Sequence, residues 1–221
     1  MSLPVFAQEQ MQDAVSNLTP QIEEVAIDPM QADISSLQSE WARIKYQLAD
    51  KDRQLNAIHN LEKDAQNVAA KYPAKAEPKI WQAIILSTDA GIVKGLSALG
   101  AVKQAKALLE DAIKMNPKAL DGSAYTSLGS LYYQVPVWPI AFGDDDKAEE
   151  NLKKALAINP QGIDPNYFYG DFLLQDGRYK DAKIYLERAL SAPDRPNRVV
   201  ADAGRRQEIK AALSKVQEEL K

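Results

Sequence analysis

The sequence predicts an all-α protein, a right-handed α–α superhelix of paired antiparallel helices with an N-terminal helical pair and a C-terminal capping helix. Three observations predict it. Apolar residues recur at helical spacing along most of the 221 residues. One pattern of small and large apolar residues returns down the chain, and its equivalent members Ala155 and Ala189 lie 34 residues apart. Hydrophobic residues make up 45% and charged residues 26%, with no run of about 20 apolar residues to cross a bilayer as a helix.

Residues 1–28 read as a signal remnant and an acidic arm. Val5-Phe6-Ala7 before Gln8 resembles the end of a secretory signal. This predicts a periplasmic or secreted protein, with a cytoplasmic one as the alternative. The first basic residue is Arg43, so the leading 42 residues carry a charge of −7 and the remainder +3. An acidic arm on a slightly basic body permits self-association. The alternative is a solvated face with a frayed terminus.

Residues 29–221 read as one helical repeat domain. Asp28-Pro29-x-Gln31 is a helix start, with a cap, a proline in the first turn and a glutamine to complete a capping box. Ile34, Leu37, Trp41, Ile44 and Leu48 form one apolar stripe, and Leu55, Ile58, Leu61, Ala65, Val68 and Tyr72 form a second. The polar break Asp50-Lys51-Asp52 favours a hairpin, and the shared heptad phase leaves one long helix as the alternative.

The repeats follow. One copy reads Trp81-x-x-Ile84, then Ala105-x-x-x-Leu109-x-x-Ala112 and Pro117. The next reads Tyr125-x-x-Leu128-Gly129-x-x-Tyr132, then Ala148-x-x-x-Leu152-x-x-Ala155 and Pro160. The third reads Tyr169-Gly170-x-x-Leu173, then Ala182-x-x-x-Leu186-x-x-Ala189 and Pro193. Small residues sit where two helices cross, leucines fill the gap beside them, and a proline stops the second helix. The units run over about 78–117, 122–160 and 163–194, with a cap over 198–221 whose stripe is Ile209, Leu213, Val216 and Leu220. This pattern resembles the tetratricopeptide repeat family. The resemblance implies a solenoid of helix–turn–helix units that binds partner proteins.

Two units are longer than the third between their paired helices. The first insertion, Ala90–Val102, is small and apolar, with Lys94 between Gly91 and Gly95. It lacks the Gly-Lys-Ser/Thr order of a phosphate loop. The second, Gln134–Gly143, carries Pro136, Trp138, Pro139 and Phe142. Both fall at the same place in adjacent units, so they are expected on one edge of the solenoid, where insertions often mark a binding face. The candidate ligand- or partner-binding residues are therefore Tyr133, Trp138, Phe142, Tyr167, Phe168 and Lys94. The aromatics have a plainer alternative, packing in the core or between repeats. Asp144, Asp145 and Asp146 are consecutive and open a helix, which favours a cap over a metal site.

No cysteine and one histidine, His59, exclude thiolate chemistry and any site needing two imidazoles. A net charge of −4 argues against nucleic acid as a partner. No catalytic residue, cofactor or metal is expected. The signal-like start, together with Trp138-Pro139-Ile140-x-Phe142-Gly143 before a charged helix, is similar to the periplasmic tetratricopeptide proteins associated with TRAP transporters. That resemblance implies a small ligand or a transporter component as partner, and a lipid anchor through a cysteine that this sequence lacks. The expectation is a non-catalytic periplasmic scaffold whose concave face receives a protein or peptide. The alternative is a small-ligand carrier with an apolar pocket beneath the two insertions.

Overall fold

The structure, a computed structural model, describes residues 28–221. The expected signal remnant and acidic arm therefore lie outside the described residues, except for Asp28. Among the described residues nine α-helices run in order: α1 Pro29–Gln47, α2 Lys51–Lys71, α3 Ala76–Val93, α4 Leu99–Met115, α5 Ser123–Gln134, α6 Asp145–Ile158, α7 Ile163–Gln175, α8 Tyr179–Leu190 and α9 Val199–Glu219. Three short 3-10 turns precede α4, α5 and α9. Among the described residues the architecture is an all-α, tetratricopeptide-like solenoid, with no helix long and apolar enough to cross a membrane.

The N-terminal region is a hairpin rather than one long helix. Asp28 caps α1 by accepting from the Met30 amide at 3.0 Å, and Asp50 caps α2 by accepting from the Arg53 amide at 2.8 Å. Each cap satisfies an amide the helix start would leave unpaired, so the polar break becomes a stop and a start. Asp144 does the same for α6, accepting from the Lys147 amide at 3.0 Å.

The repeat positions pack as their spacing implies. Ala148, Leu152, Ala155, Ala182, Leu186 and Ala189 are completely buried. A Cβ on Gly129 would lie 2.7 Å from Leu152 Cγ, and one on Gly170 would lie 2.8 Å from Leu186 Cγ. Only glycine allows the paired helices to approach so closely at these crossings.

The array does not end as an open superhelix. The odd-numbered helices form an inner layer in which each touches the next, and α9 touches α1. The inner layer is thus a closed ring of five helices, and α2, α4, α6 and α8 lie against its outside. At the closure, Gly204 of α9 faces the Tyr46 ring so closely that an added Cβ would lie 2.6 Å from Cε1. Tyr46 Oη donates to Glu208 at 3.1 Å and Lys45 Nζ lies 3.2 Å from Glu208. Ala201 joins the apolar cluster of Ile34, Trp41, Ile44 and Trp81.

The last helix does more than cap the stack. Besides the Ile209, Ala212 and Val216 face that packs on the repeat core, α9 buries Asp202 and Arg205, because its first half lies between α1, where Ala201 packs, and α7, where Arg205 meets Asp164, Tyr167 and Phe168.

Candidate functional site

The closed ring surrounds an open-mouthed cavity of about 1270 Å³. Its lining comes mostly from the inner helices, and three chemical zones are distinct. On α5, Ser123, Thr126, Ser127, Ser130 and Gln134 face it. They stand three or four residues apart, so one stripe of a largely buried helix is hydroxylic rather than apolar. Toward α3 and α4 the lining mixes apolar Ile84, Leu99 and Val102 with the hydroxyls of Ser87 and Thr88, and apolar Leu131 continues it, with Leu96 and Ile140 largely exposed at its edge.

The third zone is charged and belongs to α1, α7, α9 and the turn before α9. Asp164 accepts from Arg195 Nη1 at 2.8 Å and from Arg205 Nε at 2.9 Å. Arg205 also donates to Glu208 at 2.6 Å, and its guanidinium lies over the Tyr167 and Phe168 rings at 4.4 and 4.6 Å from their centroids. Arg195 donates through its backbone amide and its Nε to buried Asp202, both at 2.9 Å. Burial opposes ionisation of Asp164, yet Arg205 and Arg195 outweigh it and hold the carboxyl well below the usual range. Burial pushes the Tyr46 and Tyr167 phenols upward, so both remain protonated donors.

Strained backbone gathers at the same cavity. Lys94, Leu120 and Asp121 have φ of 60°, 48° and 55°, and all three line it. Left-handed backbone at non-glycine residues costs on the order of 1–3 kcal/mol each and concentrates at functional sites.

Both insertions reach the cavity, Gly95 and Leu96 from the first and Pro136 and Ile140 from the second. Of the six candidate residues, Lys94, Tyr167 and Phe168 line it. Tyr133 sits elsewhere, its hydroxyl donating to Asp171 at 2.8 Å and its ring against Phe172. Phe142 packs edge-on to Tyr132, on the other side of its loop. Trp138 is 83% exposed and neither walls the cavity nor plugs a gap between repeats. His59 lies on α2 outside the cavity, with Nε2 3.1 Å from Asp89.

Sequence reasoning missed Lys45, Asp164, Arg195, Arg198, Arg205 and Glu208. The i,i+3 pair Arg205 and Glu208 looks like an ordinary solvated pair in sequence. Only the return of α9 to α1 turns it inward. The α5 stripe was the one local signal, since serines and threonines at inner-face spacing are unusual in a helix buried on both sides.

A ring of helix–turn–helix units around a lined central space defines the class: an all-α helical-repeat protein. Residues 140–215 match the family model described as Tetratricopeptide repeat. The match supports a tetratricopeptide-repeat protein, and repeats of this type generally mediate protein–protein interaction. No curated protein matches the chain.

Proposed function

We propose that this protein is a non-catalytic binding protein of the periplasm or secreted space that holds a small ligand at the centre of its helical ring. The observation that carries the reading is the closure of α9 onto α1, which turns a concave face into a cavity. A helix with its side chains is about 10–12 Å across, so this volume holds roughly two turns of one. A long partner helix does not fit inside. The volume lies just above the ~300–1,000 Å³ usual for small-molecule sites. Export is supported by Val5-Phe6-Ala7-Gln8 and by the likeness of the Trp138–Gly143 insertion to the TRAP-associated type.

One observation favours a second reading, in which a protein partner such as a transporter component docks on the rim. Leu96, Val137 and Trp138 are 75%, 61% and 83% exposed there, an apolar patch of the kind that marks interaction sites.

Native mass spectrometry of the full chain recovered from its own cells tests the choice. The ligand reading expects a retained small molecule that Ser127→Trp, which fills the cavity, removes. Retention of a protein only, unaffected by Ser127→Trp, would overturn it in favour of the rim.

A further inference from the structure

Resting on the reading of the ring as a ligand cage, we infer that its ligand is an amphipathic carboxylate. The carboxylate meets the guanidinium of Arg198, and the apolar body lies along Ile84, Leu99, Val102 and Leu131.

In the charged zone the cations are Lys45, Arg195, Arg198 and Arg205, and the carboxylates are Asp164, Asp202 and Glu208. Lys45 pairs with Glu208 at 3.2 Å, Arg205 with Asp164 at 2.9 Å, and Arg195 with Asp164 at 2.8 Å as well as with Asp202. Of these four cations, Arg198 alone has no side-chain hydrogen bond and no ion pair among the described residues. Its Nε is sealed from water without an acceptor, while the residue itself faces the cavity.

Arg198 is also held in place. Its guanidinium lies over the buried Trp81 ring, 5.1 Å from the centroid, and its backbone belongs to the turn Pro196–Arg198 that leads into α9. Burial, and then the like charge of Arg195, pull it below its ordinary basicity. The group is a desolvated cation with no ion pair of its own among the described residues, in the field of Asp164 and Asp202 and already ordered before any ligand arrives.

The chemistry of the anion follows. A planar fork matches a carboxylate with two parallel hydrogen bonds. One unpaired guanidinium balances one negative charge. A phosphate dianion would carry a second charge toward Asp164 and Asp202. The remainder of the ligand meets hydrocarbon from Ile84, Leu99, Val102 and Leu131 and hydroxyls from α3 and α5, so it is apolar with room for a few polar groups.

Calorimetry with the full chain tests this, using decanoate and 4-phenylbutyrate against decanol and 4-phenylbutanol. Each acid is expected to bind roughly ten- to a hundredfold more tightly than its alcohol, the range of a hydrogen bond to a charged group. Added salt should narrow that difference. Arg198→Met should abolish the preference while leaving alcohol binding intact. Arg198→Lys, which keeps the charge and loses the fork, should retain part of it and serves if the methionine variant does not fold. Equal affinity for acids and alcohols would overturn the carboxylate assignment and leave the cage standing. So would failure of both classes while the native spectrum still shows a retained molecule. Failure of both with nothing retained would overturn the cage itself.

Discussion

Replacing Gly204 by alanine tests the ring closure through a conflict of two effects with opposite signs. In an isolated helix the change is favourable by about 1 kcal/mol, because alanine is the better helix former. Here the new methyl would lie 2.6 Å from Tyr46 Cε1, and closer still to Cγ and Cδ1. A clash at Cγ, the root of the ring, is not relieved by turning the ring about its own axis. Either Tyr46 changes rotamer or α9 moves off α1. Both break the Tyr46 hydrogen bond to Glu208 and the edge contact of Tyr46 with Trp41. Overpacking of this kind costs about 1–3 kcal/mol, and the lost hydrogen bond adds about 1 kcal/mol. After the propensity gain, the expected net loss is roughly 2 kcal/mol. Urea unfolding followed by circular dichroism measures it. The same substitution in a Tyr46→Ala background should become stabilising, by up to about 1 kcal/mol. Gly91→Ala is the control, since a Cβ there meets nothing within 4 Å. A Gly204→Ala protein more stable than the parent would refute the closure.

Two further predictions rest on other parts of the molecule. Trp138→Ala removes an indole that is 83% exposed, so it should change stability by less than about 0.5 kcal/mol; a rim partner, if one docks there, should be lost in pull-down. Glu149 is held by Arg178, Lys153 and Tyr169, whose hydrogen bonds outweigh its desolvation and bring its pKa down to about 2. Because the folded value lies below the unfolded one of 4.5, its contribution is complete above pH 4.5 and fades as pH falls toward 2. Glu149→Gln should therefore cost about 2 kcal/mol at pH 7, discounted for partial exposure, and much less at pH 2. An equal cost at both values would contradict the assigned pairing.

Much of the fold is legible because its determinants are local. Ala148-x-x-x-Leu152-x-x-Ala155 states a helix, its buried face and its crossing point within eight residues. Asp50 states a cap, and the glycines at 129 and 170 state close approach. The insertions, too, could be placed on a common rim by counting. The closure could not, because Gly204 and Tyr46 are far apart in sequence and neither belongs to the repeat signature. Everything that depends on the closure was hidden with it: the inward turn of Arg205, the burial of Asp202 and the exposure of Arg198 to a cavity. Trp138 shows the complementary limit. A large aromatic between two prolines signals burial by type, whereas its loop turns it to solvent.

The central claim is that α1 and α9 touch, making a ring of the inner helices. The absence of cysteine from the sequence allows two spin labels to be placed without interference, at the exposed positions Gln47 and Gln207. Double electron–electron resonance on the full chain should then give one narrow distance, that of labels on helices packed about 8–10 Å apart between axes. It should be independent of protein concentration. A broad distribution at longer distances, as an open superhelix with separated ends would give, would contradict the account.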